Sequence, residues 1–84
     1  MRIDKYLKVS RIIKRRTVAN EACDTGRVMV NGRVVKASCD VKPGDVIEIG
    51  FGNRTVKVEV VSVEESRRKE DASEMYKYLP TDDE

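Results

Sequence analysis

The spacing of apolar residues changes near residue 26, and this change constrains the fold more than any other feature of the chain. Before it, apolar residues recur every three to four positions, as Ile3, Tyr6 and Leu7 do. This spacing predicts helix. After it, apolar and polar residues alternate, which predicts strand. We therefore expect helices followed by a sheet, in an α+β fold.

The helical part divides into two short helices. Ile12 and Ile13 continue the apolar side of the first helix one to two turns after Leu7. The second helix is expected over residues 17–24, and Gly26 stands where a left-handed C-cap normally ends a helix. Three residues are expected on its buried side: Val18, Ala22 and Cys23.

Turn residues divide the alternating part into strands. Asn31-Gly32 lies between two short apolar runs and favours a two-residue hairpin. Pro43-Gly44 suits the central positions of a type II turn, after which a strand begins near Val46. A last strand, with one face toward solvent, is predicted by the alternating residues Val56, Val58 and Val60.

The length of 84 residues leaves room for one compact domain. We expect this domain over residues 1–63, with two to three short helices packed on a small, mostly antiparallel sheet. Residues 64–84 are rich in charge and are expected to form a flexible tail, with a short helix near residues 73–79 as an option. A deep catalytic cleft is hard to build on so small a core, so we do not expect an enzyme.

Charge is distributed unevenly along the chain. Residues 1–54 carry twelve Lys or Arg against six Asp or Glu, whereas residues 55–84 carry five against nine. Within residues 2–16, seven cations stand against Asp4 alone. So concentrated a positive field favours a polyanion, through release of the counterions that surround its phosphates. The alternative is a helix face that is merely solvated.

Structured RNA is the polyanion that these residues suit best. Guanidinium groups make bidentate contacts to phosphate, and neutral donors add hydrogen bonds. Only four aromatic residues are present, which argues against a single-strand binder built on stacking. Tyr6 is expected in the core, and Asp4 is treated as structural. The expected RNA-binding set is Arg2, Lys5, Arg11, Lys14, Arg15, Arg16, Thr17, Asn20 and Arg33.

Cysteine and histidine usage argues against a metal site. Cys23 and Cys39 form no CxxC pair and the chain has no histidine, so the usual zinc spacing cannot be met. We expect no metal, no cofactor and reduced thiols. The sequence has neither a charged-then-apolar leader nor a long apolar run, so we expect a cytoplasmic protein with no membrane partner. We also expect a monomer.

Four segments, taken in order, resemble the alpha-L RNA-binding domain: residues 2–7, residues 16–19 with Gly26, residues 28–34, and the Lys-Pro-Gly-Asp-Val-Ile run at 42–47. That domain was first described in ribosomal protein four of the small subunit. It is also found in pseudouridine synthases, tyrosyl-tRNA synthetase and heat-shock protein fifteen. The resemblance covers roughly residues 1–50, and it implies that Arg2 and Arg16 touch ribosomal RNA and tRNA.

The chain is similar to the short members of this family in Gram-positive bacteria, in which the domain stands almost alone. Their role is to bind the large ribosomal subunit, obstructed by a peptidyl-tRNA, during ribosome-associated quality control. There they support template-free addition of C-terminal residues. The resemblance implies the same role and partners here. Two alternatives stay open: a subunit-recycling factor like heat-shock protein fifteen, and a protein-interaction module that docks through the acidic tail.

One position departs from the family pattern. Arg15 stands where the family usually has a serine, just before the arginine of the second helix. Loss of a serine N-cap costs about 1 kcal/mol. A cation at a helix N-terminus also opposes the helix dipole, although it adds a group that can bind phosphate.

Overall fold

Two short helices pack on one face of a five-stranded antiparallel sheet in the computed structural model, which describes residues 1–64 and 75–80. The helices are α1 (Ile3–Val9) and α2 (Arg16–Asp24). The strands are β1 (Val28–Val30), β2 (Arg33–Val34), β3 (Val46–Phe51), β4 (Arg54–Val60) and β5 (Tyr76–Leu79). Their order in the sheet is β2-β1-β3-β4-β5, and neighbouring strands are antiparallel. The predicted α+β architecture is confirmed.

The core lies between the helices and the face of the sheet that they cover. Alternate residues of the strands point into it, among them Ile47, Ile49 and Val58, which are fully buried. Tyr6 of α1 is fully buried as well, so its predicted place in the core is confirmed. Burial of apolar surface contributes roughly 25 cal/mol per Å² and is the main source of stability in so small a domain.

The first helix ends earlier than the apolar spacing predicts. Its last residue is Val9, so Ile12 and Ile13 do not extend it. The Ser10 hydroxyl donates to the carbonyl of Leu7 at 3.3 Å, and Arg11 adopts a left-handed φ of 65°. A serine that bonds the preceding turn competes with helix continuation. Ile13 is nevertheless buried, because the chain turns back toward the core.

The second helix has the predicted C-terminus but a different buried face. Gly26 has φ 76°, and its N–H and that of Arg27 bond back to Cys23 and Ala22, both at 3.0 Å. These bonds form a Schellman cap. Val18 was predicted on the buried side but is 45% exposed, and Ala19 is buried instead. Residues 19, 22 and 23 form one helical stripe, and residue 18 lies about 100° away from residue 19.

Both predicted turns are present and they contact each other. Asn31 and Gly32 have φ 53° and 83°, as a type I′ hairpin requires. The N–H of Asp45 donates to the carbonyl of Lys42 at 3.1 Å across Pro43 and Gly44, as in a type II turn. The Asn31 amide donates to the buried Asp45 carboxylate at 3.1 Å and accepts from the N–H of Val46 at 3.0 Å.

The sheet has a strand that was not predicted. β4 was expected to be the last strand and residues 73–79 were considered for a helix, but Tyr76–Leu79 pair with β4 as strand β5. Met75, just before β5, is 2% exposed, and its carbonyl accepts a hydrogen bond from the buried Tyr6 hydroxyl. Residues 76–79 therefore belong to the fold. The rest of the predicted tail, residues 65–74 and 81–84, lies outside the described residues.

Neither of the two described helices has the length and apolar character that a membrane span needs.

Candidate nucleic-acid interface

A buried carboxylate joins the two helices at their N-terminal ends. Asp4, in the first turn of α1, is 2% exposed. Its oxygens accept hydrogen bonds from the side chains of Arg2 at 3.2 Å, Arg16 at 3.4 Å and Asn20 at 3.4 Å. The N–H of Lys5 donates to the same carboxylate at 2.8 Å. We call Asp4, Arg2, Arg16 and Asn20 the Asp4 cluster.

The backbone on both sides fixes the Asp4 cluster. Arg2 is the extended N-cap of α1 and forms an isolated β-bridge with Asp40. The N–H of Ile3 donates to the carbonyl of Cys39 at 2.7 Å. Arg16 is the first residue of α2, and Asn20 follows one turn later on the same side. The packing of α1 on α2 therefore brings residues 2, 4, 16 and 20 together.

Asp4 carries a negative charge at neutral pH. Burial raises the pKa of its carboxyl, but the hydrogen bonds from Arg16, Asn20 and the N–H of Lys5 together lower this pKa by a larger amount. The net result is a pKa below the ordinary value of 3.8. A buried carboxylate of this kind is tolerated because cations and donors surround it.

The two arginines keep donors available for a ligand. Each side chain is 48% exposed, although each contacts the buried carboxylate. A guanidinium has five N–H donors, so each arginine has more donors than its bonds to Asp4 use. Asp4, Arg16, Thr17 and Asn20 line a concavity of about 320 Å³. Two held guanidinium groups beside a concavity suit an oxyanion such as an RNA phosphate.

The remaining predicted contacts lie in three places. Arg11, Lys14 and Arg15 are exposed on the connection between the helices. Lys5 is half-buried. Arg33 lies elsewhere, on β2, where it lines a separate concavity of about 640 Å³ with Lys42. Of the nine predicted residues, the structure thus brings Arg2, Arg16, Thr17 and Asn20 together at one place.

The sequence understated the part played by Asp4. Asp4 was expected to be structural only, but its buried carboxylate holds both arginines of the predicted RNA-binding set. The only sequence signal was its position as the single acid among seven cations in residues 2–16. Its burial depends on the approach of α2, which periodicity does not reveal.

The cysteines are both free thiols. Burial, with smaller contributions from Asp4, Asp24 and Cys39, raises the pKa of the Cys23 thiol to about 11. This thiol is therefore protonated at neutral pH and is a poor nucleophile. Within residues 1–64 and 75–80, no group of three or more His, Cys, Asp or Glu side chains is arranged to hold a metal ion.

The sequence of this chain matches known proteins. The family model of the S4 domain matches residues 1–47. The "RQC P-site tRNA stabilizing factor" of Streptococcus pneumoniae is 56% identical over 79 residues, which cover 94% of this chain and 90% of that protein. The protein of the same name from Bacillus subtilis is 52% identical over 79 residues, covering 94% and 92%.

A solved structure extends the similarity to three dimensions. The trimeric Heat Shock Protein 15 of Vibrio cholerae superposes with a TM-score of 0.85 at 28% identity, covering 94% of this chain and 81% of that one. The matched S4 segment contains every residue of the Asp4 cluster. The chain belongs to the S4 domain family and, within it, to the family of these two tRNA stabilizing factors.

Proposed function

We propose that this chain binds the large ribosomal subunit beside the P-site tRNA during ribosome-associated quality control, and that the Asp4 cluster grips RNA phosphate there. The observation that carries the proposal is the pair of half-exposed arginine side chains, those of Arg2 and Arg16, that a single buried carboxylate holds. The names of relatives that are 52% and 56% identical over nearly their whole lengths support the choice of target.

The chain acts by binding and performs no chemical step. Arg2 and Arg16 are fixed before RNA arrives, so little side-chain entropy is lost when they bind. The exposed cations of the connection between the helices, Arg11, Lys14 and Arg15, add contacts to the backbone of the same folded RNA. Arg33 extends the contact from the hairpin. We infer that a cytoplasmic monomer holds the peptidyl-tRNA in place and so supports C-terminal tailing of the nascent chain.

The test is co-sedimentation with purified large subunits, empty or carrying peptidyl-tRNA, at two salt concentrations. The wild-type chain should sediment best with the tRNA-bearing particle, and Arg2→Ala/Arg16→Ala should lose most of this binding. The matched control is Lys57→Ala/Lys77→Ala, which also removes two positive charges but from the other face of the sheet. Absence of wild-type binding at low salt would refute the proposal.

Salt dependence separates this function from a protein-interaction module. Each phosphate contact contributes a slope of roughly −0.7 to −0.9 in the logarithm of the binding constant against that of salt concentration. Docking through apolar groups lacks this steep slope. A shallow slope that the arginine substitutions leave unchanged would favour the interaction module.

The second candidate function is that of a recycling factor like heat-shock protein fifteen. The TM-score of 0.85 with the Vibrio cholerae protein favours it as an alternative, although the identity is 28%. A reconstituted tailing reaction distinguishes the two. The quality-control role requires that addition of C-terminal residues depend on this chain and be lost in Arg2→Ala/Arg16→Ala.

A further inference from the structure

One end of the sheet extends beyond the helices on the side that they cover. The strand register places Phe51 opposite Arg54 and Ile49 opposite Val56. It also places Tyr78 opposite Val58. Directly opposed residues of antiparallel strands point to the same face. Since Ile49 and Val58 are buried beneath the helices, Phe51, Arg54, Val56 and Tyr78 share this face, and we call these four residues the open sheet end.

The open sheet end presents aromatic surface to solvent. Phe51 is 38% exposed and Tyr78 is 63% exposed. Val56, between them, is half-buried and packs against the core. The Tyr78 ring is supported by Tyr76, whose ring lies 5.2 Å away at 88° in an edge-to-face contact. The surface thus offers two exposed rings, and the Tyr78 ring is also supported by that of Tyr76.

The charge of this surface is positive. Arg54 is the charged residue among the four. It is exposed and lies directly across from Phe51, at a cross-strand spacing of about 5 Å. The acidic residues of β3 and β4, Glu48 and Glu59, alternate onto the other face, where Glu48 pairs with Lys57 at 3.7 Å. Exposed rings beside a guanidinium suit unpaired nucleotides, because bases stack on the rings and the cation meets phosphate or a base face.

We propose that the open sheet end is a second RNA contact, which stacks unpaired nucleotides of the RNA bound by the Asp4 cluster. The proposal rests on the proposed function and adds a recognition mode to it: folded backbone at the helices, exposed bases at the sheet. Phe51 and Tyr78 were assigned from the sequence to a turn and a tail, and the pairing of β5 with β4 brings them onto one face.

The test compares variants in binding to large subunits that carry peptidyl-tRNA. Phe51→Leu/Tyr78→Leu keeps apolar side chains but removes both rings, and should weaken binding at least about fivefold with an unchanged salt slope. Arg54→Gln should lower the salt slope by about one phosphate contact. Val34→Ser is the matched control, because Val34 is 61% exposed on β2 at the opposite edge of the sheet. Circular dichroism melts verify that each variant is folded.

Ultraviolet crosslinking of the wild-type complex, followed by mass spectrometry of the peptides, gives an independent readout. Peptides that contain Phe51 or Tyr78 should carry a crosslinked nucleotide. If the double Leu variant binds as the wild type does while Arg2→Ala/Arg16→Ala still fails, this inference is wrong and the proposed function stands. Crosslinks from these peptides to a ribosomal protein and not to RNA would also overturn it. If the wild-type chain does not bind the particle, both proposals fall.

Discussion

At the scale of single residues, Asp4 places a negative charge inside a surface that attracts polyanions. A carboxylate there reduces the local positive field, yet it also holds Arg2 and Arg16 at fixed positions. The two effects oppose each other in RNA binding. Charge-assisted hydrogen bonds contribute roughly 1.5–3 kcal/mol each, whereas one added charge in a screened surface field contributes less. Positioning should therefore dominate.

Asp4→Asn tests this balance directly. The variant has one more net positive charge, so simple attraction predicts tighter RNA binding. We expect weaker binding, by about tenfold, because the two guanidinium groups lose their charged partner. Co-sedimentation with tRNA-bearing subunits measures the effect. The control, Glu21→Gln, makes the same charge change on an exposed position of α2 and should bind slightly tighter; tighter binding by Asp4→Asn itself would contradict the positioning role.

The lowered pKa of Asp4 predicts a pH dependence of stability. A carboxyl whose pKa is lower in the folded than in the unfolded state stabilises the fold above the unfolded pKa of about 3.9. That contribution is lost as the pH falls through the folded pKa. The unfolding free energies of the wild type and Asp4→Asn, from urea titrations, should therefore differ near neutral pH and converge below about pH 4. A constant difference over this range would show that the carboxylate charge does not contribute.

Much of the candidate site was visible at this scale, but its organisation was not. The concentration of cations in residues 2–16 predicts an RNA-binding surface from charge alone. That Arg2, Arg16, Thr17 and Asn20 meet, while Arg33 stays apart, depends on how α1 and α2 pack. Similarly, Phe51 and Tyr78 lie on one face because of the strand register. The residues around each of them do not indicate that register.

At the scale of elements, α2 begins without a side-chain cap. Its N-cap is Arg15, which makes no capping hydrogen bond from its side chain. The helix still starts at Arg16, because the bonds of Arg16 and Asn20 to Asp4 anchor its first two turns. Tertiary contacts here replace a local signal.

Arg15→Ser should restore the missing cap. A serine at this position can accept a hydrogen bond from a free N–H in the first turn, and it removes a cation from the positive end of the helix. We expect a gain in unfolding free energy of about 1 kcal/mol, measured by urea denaturation. If Arg15 contacts phosphate, the salt slope of RNA binding should fall by about one contact at the same time. Arg11→Ser, outside the helix, should not add stability.

Elements with strong local signals were predictable and those that depend on distant contacts were not. The Asn31-Gly32 and Pro43-Gly44 turns require left-handed glycines, and these are found where the sequence placed them. Strand β5 has only four residues and lies in a charged region, so its pattern is too short to identify a strand. The exposure of Val18 was missed for another reason: positions 18 and 19 both fit a helical stripe with Ala22, and packing selects Ala19.

At the scale of the whole molecule, β5 closes the fold. Met75 is buried against the core, and the Tyr6 hydroxyl in α1 bonds to its carbonyl. This contact joins residues that are 69 positions apart in the chain. The sheet is thus completed by the last described element. A domain of residues 1–63 alone would leave the Tyr6 hydroxyl without this partner and one edge of β4 unpaired.

Met75→Ala should show how much this closure contributes. Truncation of a buried methionine costs roughly 2–5 kcal/mol, which is a large fraction of the stability of so small a domain. Thermal unfolding followed by circular dichroism should therefore show a clearly lower melting temperature. Leu79→Ala, at the half-exposed end of β5, is the milder control. A melting temperature equal to that of the wild type would mean that burial of Met75 does not contribute to stability.

The pairing of β5 with β4 also has a consequence for folding during synthesis. Synthesis proceeds from the N-terminus, so α1 and its Tyr6 leave the ribosome long before the strand that covers them. Until residues 75–79 emerge, the nascent chain has an unfinished core and an unpaired β4 edge, both of which invite proteases and aggregation. A copy whose own translation stops before residue 75 should therefore be short-lived in the cell and fail to accumulate as a competent RNA binder.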